Sequence, residues 1–297
     1  MLTEAVAEEF TKAGHGARIT VGQSGTGGGF QKFCRGETDI NNASRPISTV
    51  EMTACAANGI QFFEIPVAYD GIAIVVHPRA TWVDQMTVTE LKTLWAPEAQ
   101  GRITRWSQVR PGWPDREVHL FGAGVDSGTF DYFTAAVTGH ARASRGDFTS
   151  SEDDNVLVQG VGGDELALGF LPFAYYRENQ HRLRLVPIDD GTAENGTAAV
   201  APTLATIRSG RYQPLSRPLF IYAASRAVSR QPVQQFLDFY IAQVGPLADE
   251  VGYVQLGDEG YRLVAEHFAR RQPGTLFDED SERTGITIER LLAKERQ

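Results

Sequence analysis

Two Ser-Gly-Thr triplets are the residues of this sequence whose types and spacing could hold a charged ligand. One is Ser24-Gly25-Thr26, and the other, near the middle of the chain, is Ser127-Gly128-Thr129. Glycine lets the backbone approach a ligand closely, and the first amides of a helix have no intrahelical acceptor. With hydroxyls beside those amides, each triplet predicts a cradle for an oxyanion. Two such cradles suggest one anion held from two sides.

Arg45 is the cation that could complete such a site. It lies in the turn Ser44-Arg45-Pro46, directly after a short segment that we interpret as a strand. A guanidinium can bind an oxyanion through two parallel hydrogen bonds, which the compact charge of a lysine does not do. An ordinary surface arginine is the alternative interpretation of this position.

Both triplets are expected at a junction between a strand and a helix. Residues 18–21 and 117–121 are the expected strands. Each helix that follows has apolar residues on one face and ends at a glycine: Phe30, Phe33, Cys34 and Gly36 in the first, and Phe130, Phe133, Val137 and Gly139 in the second. Strands and helices alternate with short connections, which predicts a parallel sheet and two similar α/β lobes.

The remaining elements follow from apolar periodicity and capping signals. Ser48 with Glu51, and Thr87 with Glu90, are capping boxes that begin helices. Residues 65–77 are expected to form a strand buried on both faces and long enough to run between two lobes. Further strands are predicted at 168–173, 183–188 and 218–223, and helices at 3–13, 231–244, 258–269 and 286–295. Residues 150–166 indicate a polar helix and turn, and residues 189–200 a polar loop.

Other uses of a glycine-rich turn fit the sequence less well. Phe30 stands where a dinucleotide-binding turn needs its last glycine, and no Lys-Ser/Thr pair follows the run. Ser127 comes one place too late for a nucleophile elbow. The six histidines show no paired spacing, and the acidic run 152–154 is typical of a solvated helix start. A phosphoester hydrolase that uses Ser127 or Ser24 nevertheless remains an alternative.

Composition narrows the class of protein. The formal charge is −9 with no basic cluster, which argues against nucleic acid as a partner. The 42% hydrophobic and 22% charged fractions are typical of a soluble globular protein. Cys34 and Cys55 are the two cysteines, and we expect a disulfide worth about 3 kcal/mol, with two buried free thiols as the alternative. No metal-ligand spacing is present, so neither a metal nor a cofactor is expected.

Longer motifs resemble the periplasmic phosphate-binding proteins of bacterial phosphate ABC transporters, the PstS-like and SphX-like branch of the type II periplasmic-binding fold. These motifs are Ser-Gly-Thr-Gly-Gly-Gly-Phe at 24–30, Cys-Arg-Gly-Glu-Thr-Asp-Ile at 34–40, Ala-Ser-Arg-Pro-Ile at 43–47 and Asp-Ser-Gly-Thr-Phe-Asp-Tyr-Phe at 126–133. The match continues through residues 152–161, so it covers most of the chain. Together the motifs are far more specific than either triplet alone.

The resemblance implies an α/β protein with the two-lobe, venus-flytrap fold, in which each lobe is a mixed sheet flanked by helices. Lobe I would comprise residues 1–72 and 218–297, and lobe II residues 73–217. Such a protein binds inorganic phosphate and delivers it to a membrane permease; it is not an enzyme, is a monomer and works in the periplasm or at the outer face of the membrane. The phosphate ligands carried over by position are Ser24, Gly25, Thr26, Ser44, Arg45, Ser127, Gly128 and Thr129.

Three departures from the family pattern shape further expectations. Ser44 stands where many relatives have an aspartate that accepts the proton of phosphate, and Ala123 stands where many have an arginine. We therefore expect weaker discrimination against sulfate or arsenate. The chain begins inside the first helix, without signal-peptide features, so we expect a truncated start that lacks the first strand. Two further alternative functions remain: binding of another oxyanion (sulfate, molybdate or arsenate) by the same fold, and intracellular sensing of an anion.

Overall fold

The fold was analysed in a computed structural model of the 297-residue chain. The structure describes residues 2–22, 24–125, 127–192, 198–277, 287–288 and 291–292. The sequence places a helix at 286–295 and a loop at 189–200; most of that helix and residues 193–197 of that loop lie outside the described residues. In the described part of the chain, no helix combines the length and the apolar character needed to span a membrane.

Strands and helices alternate along the described chain. The strands are β1 Ile40–Ala43, β2 Phe62–Val76, β3 Met86–Thr87, β4 His119–Ala123, β5 Thr149–Ser151, β6 Ala167–Pro172, β7 Arg184–Leu185, β8 Ile188–Asp189 and β9 Ser216–Ala224. The α-helices are α1 Leu2–Lys12, α2 Thr26–Cys34, α3 Thr49–Ala57, α4 Val88–Trp95, α5 Gly128–Thr138, α6 Asp154–Gly162, α7 Phe173–Glu178, α8 Leu204–Arg208, α9 Ser225–Val228, α10 Gln231–Glu250 and α11 Asp258–Ala269. Short 3-10 helices occupy Pro97–Ala99 and Trp106–Gln108.

The chain folds into two compact units. Unit 1 contains Met1–Asp70 and Arg217–Gln297, and unit 2 contains Gly71–Ser216. The chain passes from unit 1 to unit 2 within β2 and returns at the start of β9. All fifteen residues of β2 are buried, which agrees with the continuous apolar run that predicted this strand.

The sheet of unit 1 corrects two predictions. Strand β1 pairs with β9 in antiparallel register, from Ile40 opposite Ala223 to Ala43 opposite Phe220, so the predicted parallel arrangement is wrong here. The neighbour of β1 comes from the far end of the sequence, and local alternation does not reveal its direction. Residues 18–21 do not form the predicted strand. A strand is defined by the partner with which its N–H and C=O groups pair, and apolar pattern alone does not supply that partner.

Unit 2 contains both kinds of strand pairing. Strand β4 is parallel to β5 and to β6, whereas the unit 2 part of β2 is antiparallel to β6, from Ile72 opposite Pro172 to Val76 opposite Leu168. The predicted strand 183–188 is divided: β7 pairs with β2, and β8 forms a separate parallel pair with β3. The mixed α/β character predicted from the family resemblance is confirmed.

Aromatic side chains hold the helices against these sheets. In unit 1, Phe10 of α1 lies edge-on to Phe236 of α10, with ring centroids 5.3 Å apart. In unit 2, Phe133 of α5 stacks on Phe170 of β6 at 3.9 Å, and Trp95 of α4 lies edge-on to both rings. The helical face predicted for the second Ser-Gly-Thr segment is therefore its core face, and packing on β6 fixes the direction of α5.

Several local predictions are confirmed. Gly36 and Gly139 follow α2 and α5 with positive φ values of 76° and 91°, a backbone conformation that glycine adopts without strain. Cys34, the last residue of α2, forms a disulfide with Cys55 of α3, so the alternative of two free thiols is wrong. Helix α10 continues to Glu250, beyond the predicted end at residue 244, because Leu247 and Ala248 remain buried.

Candidate functional site

The first Ser-Gly-Thr turn presents the N-terminus of α2. Gly25 is the N-cap residue, with an extended backbone (φ −60°, ψ 162°), and as a glycine it offers no capping side chain. The first intrahelical bond runs from the amide of Gly29 to the carbonyl of Gly25, at 2.9 Å. The amides of Thr26, Gly27 and Gly28 come before that bond, so the helix supplies no acceptor for them. These amides and the helix dipole favour an anion at this end.

Ser44 belongs to the same cluster. The amide of Ser44 donates to Oγ1 of Thr26 at 3.2 Å, and the two hydroxyl oxygens are 3.1 Å apart. On the other side of the turn, a Cβ at Gly28 would lie 3.6 Å from Cβ of Ser24, and Ser24 is exposed. The turn between β1 and α3 is thus joined directly to the first Ser-Gly-Thr turn, and the hydroxyls of Ser24, Thr26 and Ser44 lie in these two turns beside the N-terminus of α2.

Arg45 brings a positive charge to this cluster. A Cβ at Gly27 would lie 3.9 Å from Nη2 of Arg45, and the guanidinium lies over the ring of Phe30, 5.6 Å from its centroid. About two fifths of the Arg45 side chain is exposed. The structure therefore brings Ser24, Gly25, Thr26, Ser44 and Arg45 together in unit 1.

The guanidinium of Arg45 is held by an ion pair that sequence reasoning missed. Nη1 and Nη2 of Arg45 donate to the two carboxylate oxygens of Glu51 at 2.8 and 2.7 Å. Burial of Glu51 disfavours its charged form, but hydrogen bonds from Arg45 and from the Ser48 backbone outweigh burial and lower the pKa of Glu51. The sequence signal for Glu51 was its place in the Ser48 capping box, which the structure confirms. Nothing in that signal identified Arg45 as its partner.

A cavity of about 610 Å³ lies beside this cluster within unit 1. Ser24 lines it, together with residues 17–22, part of β1 and the start of α10, whereas Thr26, Ser44 and Arg45 do not. Two buried polar atoms among its lining residues, Thr38 Oγ1 and Asn41 Nδ2, have no hydrogen-bond partner in the described structure. Of the cluster, Ser24 therefore faces this cavity, whereas the Thr26 and Ser44 hydroxyls and the Arg45 guanidinium lie outside it.

The second Ser-Gly-Thr turn has a different hydrogen-bond pattern. Ser127 is itself the N-cap of α5, and its Oγ accepts the amide of Thr129 at 3.1 Å. The amide of Ser127 donates to the carbonyl of Gly124 at 2.9 Å. Gly128 is exposed and Thr129 is buried. The three residues form one turn in unit 2, and one of its helix amides is already satisfied by the serine.

Comparison with known proteins gives a consistent family. A protein-family model described as a PBP superfamily domain matches residues 1–244 of this chain. Protein SphX of Synechocystis sp. is 44% identical over 295 residues, which cover 99% of this chain and 86% of that protein. The phosphate-binding protein PstS of Staphylococcus saprophyticus is 33% identical over 263 residues, covering 88% of this chain and 78% of that protein.

A solved structure is similar over nearly the whole chain. The crystal structure of a possible phosphate binding protein from Planctomyces limnophilus superposes with a TM-score of 0.78 at 43% sequence identity. The match covers 91% of this chain and 93% of that structure. Sequence and fold therefore identify the same group of relatives.

Proposed function

The chain belongs to the PBP superfamily and, within it, to the family of SphX and PstS, and we propose that it binds inorganic phosphate for uptake by an ABC transporter. One observation supports this proposal most strongly: the N-terminus of α2, whose first amides have no acceptor within the helix, lies beside the hydroxyls of Ser24, Thr26 and Ser44 and the guanidinium of Arg45. That combination of dipole, hydroxyls and guanidinium suits a tetrahedral oxyanion.

In this proposal Ser24, Gly25, Thr26, Ser44 and Arg45 bind phosphate from lobe I. Ser127, Gly128 and Thr129 bind it from lobe II, and the two lobes correspond to the two compact units. The protein releases its ligand to membrane permease subunits, and it works as a monomer in the periplasm or at the outer face of the membrane. The family fold and the similarity to named phosphate-binding proteins support these assignments.

The site binds its ligand without converting it. Oγ of Ser127 accepts the amide of Thr129, so this hydroxyl stabilises a helix start. Ser24 lies within the turn that precedes α2, between Gln23 and Gly25 in the sequence. Nucleophilic catalysis needs a base within hydrogen-bond reach of the nucleophile, and within the described residues neither Ser24 nor Ser127 is hydrogen-bonded to a histidine or a carboxylate. These observations favour capture over hydrolysis.

Selectivity among oxyanions is proposed to be modest. Hydroxyl groups such as that of Ser44 donate or accept hydrogen bonds, so they suit both protonated phosphate and unprotonated sulfate. A carboxylate in that place would repel an anion that carries no proton. The nearby carboxylate of Glu51, in the first turn of α3, is already bound by Arg45 and Ser48. We therefore propose that sulfate competes with phosphate here. Arsenate, which keeps a proton at neutral pH as phosphate does, should compete as well.

Calorimetric titration tests this function. Protein dialysed free of phosphate is titrated at pH 7 with phosphate, and the titration is repeated in the presence of sulfate or arsenate. The expected result is saturable binding of one phosphate per chain, weakened by each competitor. Absence of any phosphate binding at millimolar concentration would refute the function. Undisturbed binding in a thousandfold excess of sulfate would refute the modest selectivity alone.

A further inference from the structure

Beneath the first Ser-Gly-Thr turn lies a buried carboxylate with a fully buried tyrosine bonded to it. Glu64 and Tyr222 are both fully buried in unit 1, on β2 and β9. The hydroxyl of Tyr222 donates to Oε2 of Glu64 at 2.5 Å. Thr275 Oγ1 and the amide of Leu276 also donate to this carboxylate, at 2.9 and 2.8 Å. A buried carboxylate needs such donors, and three of them are present.

Tyr222 connects this carboxylate to the Ser44-Arg45-Pro46 turn. The amide of Ile47, which follows Pro46, donates to the hydroxyl oxygen of Tyr222 at 2.9 Å. One continuous chain of hydrogen bonds thus runs from the Ile47 amide through the Tyr222 hydroxyl to Glu64. Each bond in such a chain polarises the next, so the two links strengthen one another.

The ring of Tyr222 also contacts the helix that carries the first triplet. Phe30 of α2 lies edge-on to Tyr222 with centroids 4.8 Å apart, and Arg45 lies over Phe30. One tyrosine therefore contacts both segments of the cluster, α2 through its ring and the Ser44–Ile47 turn through its hydroxyl. Burial, followed by the nearby Glu64, raises the pKa of Tyr222 well above its ordinary value, so the hydroxyl keeps its proton for Glu64.

We propose that Tyr222 and Glu64 are positioning residues that set the distance between the α2 amides and Ser44 and Arg45, and thereby the affinity for phosphate. This inference rests on the proposed function. Neither residue belongs to the cluster that is proposed to touch the anion. Their effect passes through the Ile47 amide and the Phe30 ring, which hold the binding groups in place before the ligand arrives. A site that loses such preorganisation binds its ligand more weakly.

The test compares Tyr222→Phe with Tyr240→Phe. Tyr240 is also fully buried in unit 1, and its hydroxyl is 2.9 Å from that of Thr3, so both variants lose one buried hydroxyl. Tyr222→Phe should lower the melting temperature more than Tyr240→Phe, because it leaves both the Ile47 amide and a Glu64 oxygen short of one hydrogen bond. Phosphate affinity, measured well below both melting temperatures, should fall about tenfold in Tyr222→Phe and stay within twofold of wild type in Tyr240→Phe.

A third variant and a measurement on the unmodified protein complete the test. Thr275→Val removes a different donor to Glu64, leaves the Ile47–Tyr222–Glu64 chain intact and should keep wild-type affinity. In wild-type protein the Ile47 amide should exchange its hydrogen slowly. Unchanged affinity in Tyr222→Phe, equal loss in both tyrosine variants, or rapid exchange at Ile47 would overturn the positioning role. A wild-type protein that binds no phosphate would instead refute the proposed function itself.

Discussion

The two Ser-Gly-Thr turns contain the same three residues, but their helices begin at different ones. Helix α2 begins at Thr26, the third residue of its triplet, whereas α5 begins at Gly128, the second. The serine is consequently outside the helix in the first turn and is the N-cap in the second. Ser127 satisfies one helix amide with its own hydroxyl, and Gly25, as the N-cap of α2, satisfies none.

This one-residue difference shows that an identical triplet can either leave the first helix amides available to a ligand or cap the helix with its own serine. In the first turn the helix amides remain for an anion, and Thr26 bonds to Ser44 instead of capping. In the second turn the Thr129 amide is bonded to the Ser127 hydroxyl, and this N-cap bond stabilises α5. We therefore expect the first turn to supply most of the binding energy for phosphate, and the second to add contacts from a helix that is already capped.

The largest effect should come from the disulfide that holds the first turn. Cys34 ends α2 and is bonded to Cys55, 21 residues away, in the helix that contains Glu51. Replacing both cysteines by serine should lower the free energy of unfolding by about 3 kcal/mol, because the unfolded chain gains freedom. Urea denaturation measures this change. A loss below about 1 kcal/mol would indicate that α2 and α3 are held together by their packing alone.

Arg45→Ala compared with Arg110→Ala gives the next largest effect. Arg110 donates to both carboxylate oxygens of Glu90, another capping-box glutamate, and lies over Trp113. It thus reproduces in unit 2 the local surroundings of Arg45. Loss of charge-assisted hydrogen bonds should weaken phosphate binding about 10- to 100-fold in Arg45→Ala. Calorimetry should find Arg110→Ala within twofold of wild type.

Equal affinity losses in these two variants would show that disruption of a capping-box ion pair, and not contact with phosphate, explains the effect of Arg45. Unchanged affinity in both would remove Arg45 from the binding site. Thermal unfolding of the two variants is the control, since each loses a comparable ion pair and should lose comparable stability.

Ser24→Ala and Ser127→Ala should separate binding from capping. Ser127→Ala removes an N-cap and should lower the free energy of unfolding by about 1 kcal/mol. Ser24→Ala removes no capping bond, so its stability should stay within about 0.5 kcal/mol of wild type while phosphate affinity falls about fivefold. Denaturation and calorimetry on both variants check this. Equal stability losses would contradict the difference in helix start between the turns.

The smallest expected effect is on how the stability of the protein depends on acidic pH. Hydrogen bonds from Arg45 and Ser48 outweigh burial and lower the pKa of Glu51, and those from Arg110 and Thr87 do the same for Glu90. Each carboxylate therefore contributes stability above its unfolded pKa of about 4.3, and this contribution is lost as pH falls through the lower folded-state pKa.

Glu51→Gln and Glu90→Gln should each lose less than about 1 kcal/mol at pH 7 and show a flatter fall of melting temperature toward acid. Only Glu51→Gln should also alter phosphate affinity, since Arg45 loses its partner. Melting curves across this acidic range test the first expectation. A steeper fall of melting temperature in the variants than in wild type would contradict it.

Much of the local structure could be predicted from the sequence, because its causes are local. The Ser48 and Thr87 capping boxes, the glycine ends of α2 and α5, and the buried run in β2 all depend on neighbouring residues. The family motifs likewise identified the residues that the structure gathers around the α2 amides.

Features that depend on distant partners could not be predicted. The antiparallel neighbour of β1 is β9, which is far from β1 in the sequence, and residues 18–21 have the pattern of a strand without being one. The pairing of Arg45 with Glu51 joins a turn to a helix cap, and each residue had a separate explanation in the sequence. The Tyr222 hydroxyl accepts a hydrogen bond from the Ile47 amide, and the apolar sequence of its strand gives no sign of such a contact.

The central claim, that phosphate binds at the free amides of α2, is tested most directly by nuclear magnetic resonance. Phosphate is titrated into isotope-labelled protein while the amide resonances of Gly27, Gly28 and Thr129 are followed. We predict that Gly27 and Gly28 shift saturably, with one common dissociation constant, and by more than Thr129, which is bonded to Ser127. Phosphate binding that leaves Gly27 and Gly28 unchanged would contradict the account.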